Sequence, residues 1–281
     1  MTESVELTVA GRWVARYVTR AYLGEGLSPR PYLHPVRTLG GVEVTELMPA
    51  DHPHHLGACV AIADVGGRNF WGGRSYVRGR GPVWRDDHGV QRHLSWTRRA
   101  TDAFGESLAW IDRHGAVVLR EQRDVTARPA GDHWALDLTF RLTNVSGGPL
   151  RIGSSATNGR PGAGYGGFFW RAPGTAADLR VFTPDAEGEE KAHGAVARWL
   201  AMTGTAADGR PWTLAFAGGD DTTRRDPWFV RAAEYPGVGS ALAWQEPLTL
   251  GNGATAERRV VTLVADGALA ADDVDPLLEE L

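Results

Sequence analysis

The chain of 281 residues is poor in several things, and each shortage excludes a class of protein. Cys59 is its only cysteine. No intramolecular disulfide can form, so the fold must stand on its core, as expected of a chain kept in a reducing cytosol. Long hydrophobic runs are missing too. The longest strongly apolar stretch, LGACVAIA at 56–63, is far too short to span a bilayer. The N-terminus, MTESVELTVAGRWVARYVTR, carries no apolar core of a secretory signal. A soluble, cytoplasmic protein with no membrane partner is expected. Positive charge is not in excess: 30 Lys and Arg against 34 Asp and Glu give a net charge of −4. The arginines are interspersed with acids, which argues against a nucleic-acid partner, because phosphate backbones need clustered cations. Helical periodicity is scarce as well.

What is abundant is glycine, 36 residues, and tryptophan, 11. With 42% hydrophobic and 23% charged residues the chain can bury a large core. Glycine implies many turns. Tryptophan fills β-cores and also offers flat faces on which sugar rings stack.

Alternation of apolar and polar residues predicts strands in VELTVAG, RWVARYV, AVVLREQRDVTARP, HWALDLTFRLTNV, RPWTLAFAG and ERRVVTLVADG. Turn signals separate them, at GG 40–41, GG 66–67, AGD 130–132, VSGGP 145–149, ADGRP 207–211 and GNG 251–253. In HWALDLTFRLTNV, Trp134, Leu136, Leu138, Phe140 and Leu142 share one face, which describes a half-buried antiparallel strand. A C-terminal helix is predicted in DPLLEEL, with Asp275 as cap and Pro276 at its first position. KAHGAVARWL reads equally as helix or strand. No repeat, linker or composition break appears. The expected architecture is all-β, a single large antiparallel β-sandwich over residues 1–281 with few short helices.

Three histidines and an aspartate fall together in Asp51-His52-Pro53-His54-His55. Pro53 removes a ladder donor, so this is an edge or a loop. If the segment is extended, His52 and His54 point together and His55 points away. Two imidazoles on one face can ligate a metal with a third ligand from elsewhere, exchange protons with a substrate, or form a polar turn. No carboxylate follows until Asp64, which disfavours the H-x-H metal site of cupins. No cofactor is therefore expected. If a divalent metal is bound, His52 and His54 are its ligands.

The stretch SSATNGRPGAGYGGFFWRAPG contains a literal G-x-G-x-x-G at Gly162, Gly164 and Gly167. No apolar strand precedes it and no helix follows, so it is not a dinucleotide loop, and no GK[ST] phosphate loop is present. It reads as a loop bearing Asn158, Arg160, Tyr165, Trp170 and Arg171. Aromatic faces beside guanidinium forks suit a polyhydroxylated ligand. Glycoside hydrolysis would need paired carboxylates. Glu46, Glu121, Asp124, Asp226, Glu234 and Glu246 are available, and no spacing selects a pair. Glu121 breaks an apolar strand, and Glu246 interrupts a strand end. There is no G-x-S-x-G elbow.

The order RPYLHPVRTLGG, DHPHHLG, DVGGRNFWGG, GYGGFFWRAPG resembles the PmoA-like family of uncharacterised bacterial proteins, over roughly Arg30 to Gly267. The family label refers to a methane-oxidising membrane subunit, an activity that a chain without a membrane segment does not inherit. The resemblance implies a galactose mutarotase-like supersandwich and a context of sugar-processing enzymes. In mutarotases a histidine acts as acid and a glutamate before a proline, near the final strand, as base. Gln245-Glu246-Pro247, followed by LTLGNGATAERRVVTLVADG, is similar.

The expected function is a carbohydrate-active enzyme that cleaves or rearranges a glycoside or keto-sugar. His52, His54 and His55 would move protons, with Glu121 or Glu246 as the complementary carboxylate. Arg37, Asn158, Arg160 and Arg171 would bind hydroxyls or a carboxylate, and Trp71, Tyr165 and Trp170 would stack. The alternatives are an aldose mutarotase or epimerase, a non-catalytic sugar-binding protein, and a metal-dependent enzyme. The partner in each case is a small-molecule sugar or glycoside, and the oligomeric state stays open.

Overall fold

Two large antiparallel sheets dominate the computed structural model, which describes residues 4–281. The seven-stranded sheet runs in the order Ser4–Val9, Arg12–Val18, Tyr32–Val36, Ala58–Ala61, Gly167–Arg171, Gly237–Ser240, Trp228–Arg231. The eight-stranded sheet runs Ala177–Phe182, Trp199–Thr205, Pro211–Gly218, Thr255–Asp266, His133–Asn144, Val117–Ala130, Ala103–Ile111, Val90–Arg99. A three-stranded sheet (Leu248–Leu250, Leu150–Gly153, Asp64–Val65) and the hairpin Ser75–Val77/Gly81–Val83 complete the framework. This is the all-β antiparallel sandwich that the alternation predicts.

Each of the six patterned segments forms a strand. His133–Asn144 pairs in register with Val117–Ala130 on one side and Thr255–Asp266 on the other. Its apolar face, Trp134 to Leu142, is buried in the main core with Leu119, Val125, Leu214, Phe216 and Val264. The seven-stranded sheet contributes Leu7, Val14, Val60, Phe168 and Trp170 to the same core. Removing this much apolar surface from water is the principal stabilising term.

The outer face of the eight-stranded sheet is covered near one end by the helix Ala271–Glu279, whose Val274 packs on Ala135, Trp199, Val261 and Leu263. This helix begins four residues before the predicted cap. Asp273 accepts a hydrogen bond from the Ala270 backbone N–H at 3.0 Å, and two acids occupy the first turn, where the helix dipole favours them. Pro276 lies inside the helix. Asp275 instead holds Arg198 and accepts from Trp199 Nε1 at 2.6 Å. KAHGAVARWL divides: the short helix Glu189–Ala192 ends in it, and a strand starts at Trp199.

The largest departure concerns the glycine-rich stretch. Gly167–Arg171 is not loop but a central strand, paired with Ala58–Ala61 and with Gly237–Ser240. All five of its residues are buried, so no polar alternation marks it.

Candidate functional site

The site lies on the outer face of the seven-stranded sheet, and strand parity builds its floor. Successive side chains point to opposite faces. Phe168 and Trp170 enter the core, whereas Phe169 points outward. Likewise Trp228 and Val230 face the core, and Phe229 faces outward. Cys59, Ala61, Trp71, Phe169 and Phe229 form a separate apolar cluster on this side, with Tyr165, Tyr235 and Trp244 packed against it. Trp71 lies 4.6 Å from the Tyr165 ring and 4.8 Å from Phe169. Over this floor opens a cavity of about 340 Å³, bounded by the DHPHH segment, Trp71, Tyr165, Phe229 and Tyr235, with Arg74, Arg160 and Arg231 at its margins. That volume lies in the range of about 300–1,000 Å³ usual for small-molecule sites.

The DHPHH segment is a turn. The His55 N–H donates to the His52 carbonyl at 2.9 Å, closing a β-turn with Pro53 at its second position. The turn brings residues i and i+3 together: the His52 and His55 rings stack at 4.6 Å and 15°. An extended segment would have paired His52 with His54, whose rings here are 5.7 Å apart and inclined by 64°. The turn is held from below by Arg30, which is 1% exposed. Its guanidinium donates to the carbonyls of His54 (2.7 Å), Trp71 (2.9 Å) and Ser28 (3.1 Å). Gly72, at φ +99°, allows close approach, since a Cβ there would lie 2.8 Å from His54 Cβ.

Charge is distributed unevenly among the three histidines. Burial, with the nearby Arg30 and His52 charges, lowers the His54 pKa to about 3. Burial, with the other two imidazoles, lowers His55 well below the usual value. Both are neutral at pH 7. His55 Nδ1 is buried and has no hydrogen-bond partner among the described residues. His52 is half-buried and its Nδ1 lies 2.7 Å from Asp51 Oδ2. Although burial opposes it, the hydrogen bond with His52 and the Arg171 charge lower the Asp51 pKa. An ionised Asp51 makes Nδ1 the donor, which leaves the Nε2 lone pair to accept a proton. Tyr235 packs 4.6 Å from His52, and burial raises its pKa, so it stays a protonated donor.

One further histidine braces the wall. His193 Nε2 is 2.8 Å from the Gly162 carbonyl, which assigns that nitrogen the proton. Its Nδ1 then accepts from Arg231 at 3.0 Å. His193 thereby ties the glycine-rich loop to the strand carrying Phe229 and Arg231. Burial and the Arg231 charge lower its pKa.

Of the residues proposed from sequence, His52, His54, His55, Trp71, Arg160 and Tyr165 line this cavity. Arg171 lies just behind it, 3.0 Å from Glu46 and 3.5 Å from Asp51, with its guanidinium over the Tyr235 ring. Trp170 does not stack in the pocket: it is fully buried in the sandwich core and its Nε1 donates to the Val44 carbonyl at 2.8 Å. Phe169, one position earlier, has the outward parity. Glu121 is fully buried between the sheets, bonded to Arg123 and Trp110, and does not reach the cavity. Glu246 lies in an exposed bend between strands and Arg37 beside Glu43 and Trp13; neither lines the cavity. Asn158 borders a neighbouring cavity. Among the carboxylates weighed from sequence, Glu234 is the one at the margin. Phe229, Arg231, Tyr235, Arg74 and Trp84 also line the cavity without a signal in the sequence, and Asp51, which the sequence places beside the histidines, gains its role only here. Among the described residues, no group of three or more His, Cys, Asp or Glu side chains is placed to hold a metal ion. None of their helices is long and apolar enough to cross a membrane.

A family model, described as a family of unknown function (DUF6807), matches residues 4–279. The chain belongs to DUF6807. A comparison with curated protein sequences gave no match. Among solved structures, this DUF6807 chain is similar to a putative aldose 1-epimerase from Escherichia coli K12, at 12% identity and TM-score 0.49 over 95% of this chain and 100% of that one. It is similar to a GalM/aldose epimerase homologue from C. elegans, at 9% identity and TM-score 0.45 over 95% and 100%. Heparan sulfate lyase HepC from Pedobacter heparinus matches at 9% identity and TM-score 0.36, over 95% of this chain and 37% of that one.

Proposed function

We propose that the histidine cavity is the active site of a carbohydrate-active enzyme that cleaves or rearranges a glycoside or keto-sugar by proton transfer. The observation that carries this reading is a carboxylate-oriented imidazole, Asp51–His52, set over an aromatic floor with guanidinium groups at its margin. The floor suits the apolar face of a sugar ring, and Arg74, Arg160 and Arg231 suit its hydroxyls or a carboxylate. His52 Nε2 is the base. It takes a proton from the carbon beside a carbonyl, the margin guanidiniums stabilise the resulting enolate, and Tyr235 supplies a proton to the departing or re-formed group.

Elimination or epimerisation fits better than hydrolysis by paired carboxylates. Asp51 is already engaged by His52 and Arg171, so it is not free to act as one of two independent carboxyl groups. A mutarotase-type isomerase would use the same groups to open and re-close a hemiacetal ring without cutting a glycosidic bond, and the identity of the product separates the two. Two of the blocks behind the PmoA-like resemblance, DHPHH and the Trp71-Gly72-Gly73 end of DVGGRNFWGG, supply walls of this cavity. A cytoplasmic place of action belongs to the proposal, and the buried free thiol of Cys59 supports it.

The test is an NMR screen of keto-glycosides and aldoses in D₂O. Turnover with solvent deuterium entering beside the carbonyl is expected, and His52→Ala should lower kcat by about 10²-fold or more, the range for removal of a general base. Unchanged turnover by His52→Ala would sink the assignment.

A further inference from the structure

A second cavity of about 330 Å³ adjoins the histidine cavity, and the same two chain segments wall both. From the 154–166 loop, Ser155 and Asn158 face the second cavity, while Arg160, Ala163 and Tyr165 face the first. From the 74–85 segment, Ser75, Arg78 and Arg85 face the second, while Arg74, Pro82 and Trp84 face the first. What lies between them includes a single hydroxyl pair, Ser155 Oγ to Tyr165 OH at 2.7 Å. Trp84, 62% exposed, stands at the margin as a flat face open to solvent.

The polar groups of the second cavity are fixed in advance. Asp64, 6% exposed, accepts from the Gly67 N–H (2.8 Å), Arg151 (2.6 Å) and Asn158 (3.1 Å), and so orients both side chains. Arg78 donates to the Thr157 carbonyl at 3.2 Å and lies close against Gly159, where a Cβ would meet its Nη1 at 3.3 Å. Arg85 Nε stands 3.3 Å from Asp87 Oδ2. Asp87 Oδ1 is buried with no hydrogen-bond partner among the described residues; the His88 ring nitrogen is 3.9 Å away. Interleaved carboxylate, amide and guanidinium groups, each held by a neighbour, offer acceptors and donors at once, which is what vicinal hydroxyls require.

We propose that this cavity is a second sugar subsite, so that the substrate is at least two units long. Its distal unit is a neutral, hydroxyl-bearing ring that donates to the Asp87 carboxylate and accepts from Arg78 and Asn158. The reacting unit lies over Trp71 and Phe229, and the Ser155–Tyr165 pair marks the junction between units. The two aspartates offset two of the three guanidiniums, and a carboxylate on the distal ring would face the Asp87 carboxylate. The inference rests on the carbohydrate reading of the histidine cavity.

Calorimetric titration tests it with methyl glycosides of glucose, galactose and mannose, the corresponding methyl disaccharides, and disaccharides with a uronic acid as either unit. For the configuration that binds, the disaccharide should bind about tenfold more tightly than the single unit, the gain that one net charge-assisted hydrogen bond supplies. Asp87→Ala should shrink that ratio. So should Arg78→Ala, an exposed position whose loss spares the core. A single unit that binds with no gain on lengthening overturns the second subsite and leaves the histidine cavity standing. Preference for a uronic acid as the distal unit overturns its neutral character. A panel in which no sugar binds overturns both readings.

Discussion

Glu121→Gln separates a structural from a catalytic role for the carboxylate that interrupts the strand Val117–Ala130. Glu121 is fully buried; its Oε1 accepts from Arg123 Nε at 2.7 Å and its Oε2 from Trp110 Nε1 at 2.7 Å. Arg123 in turn donates to Tyr17 OH at 2.9 Å and Gln91 Oε1 at 3.3 Å, and Tyr17 OH donates to Glu106. Burial alone would lower the Arg123 pKa, and the Glu121 and Glu106 carboxylates, with the hydrogen bond to Glu121, more than offset it. Removing one partner of a buried ion pair costs about 3–5 kcal/mol, because the remaining charge is left in a low-dielectric interior. Glutamine keeps one acceptor but turns an amide NH₂ toward Arg123 or Trp110, both donors. Glu106 still offsets part of the Arg123 charge, so the lower end, about 3 kcal/mol, applies. Unfolding entropy of about 2.1 cal/mol/K per residue gives roughly 0.6 kcal/mol/K for this chain, so Tm should fall by about 5 °C. Differential scanning calorimetry reads that shift, and sugar binding at the histidine cavity should survive in the folded variant. A melt within about 1 °C of wild type, joined to loss of turnover, would return Glu121 to the catalytic list and refute the reasoning.

Acid should destabilise the protein through the buried histidines. His54 is held neutral down to about 3 and His55 is lowered well below its usual value, whereas both protonate near 6.5 in the unfolded chain. The unfolded state therefore binds more protons in that window, so stability is full above about pH 6.5 and falls as pH drops toward 3, by about 1.4 kcal/mol per unit per histidine. Urea melts at about pH 7, 5.5 and 4.5 should give a shallower fall for His54→Gln than for wild type, and equal slopes would contradict the burial argument. Gly72→Ala should cost about 2–4 kcal/mol, since its φ is +99° and a Cβ would meet the Leu27 carbonyl at 2.6 Å and His54 Cβ at 2.8 Å. Tm and sugar affinity should fall together, and a variant with wild-type values of both would show that the turn yields freely.

The fold was legible where one face of a strand meets the core and the other meets solvent. HWALDLTFRLTN alternates for that reason, with Asp137, Arg141 and Thr143 on its partly exposed face, whereas the second half of ERRVVTLVAD is buried on both faces, the outer one by the C-terminal helix. Gly167–Arg171 and Gly237–Ser240 are buried at every position, the one face by the sandwich core and the other by the pocket cluster. Such strands carry no polar alternation, and their glycines read as loop. Function hid them, because the cavity and its aromatic floor cover the face that solvent would have marked.

That concealment also set which site residues were readable. The DHPHH block announced itself by composition, and the structure places it on the cavity, but its geometry depended on Pro53. Treated as extended, it pairs His52 with His54; as a turn, it stacks His52 on His55 and leaves His52 hydrogen-bonded to Asp51. The difference matters chemically. Two parallel rings at 4.6 Å do not converge on a common metal, and two charges so close would repel strongly in a half-buried site. With His54 and His55 neutral, the proton chemistry of the cluster concentrates on His52, whose partner Asp51 the sequence places in the cluster without a role. Trp170 failed for a simpler reason: on a loop it has no parity, and in a strand a single position decides between core and pocket. Once Gly167–Arg171 is a strand, Phe169 and Arg171 must face the histidines and Trp170 must face the core. The same parity applied to WFVR places Phe229 and Arg231 in the pocket, where sequence inspection had no strand to count from.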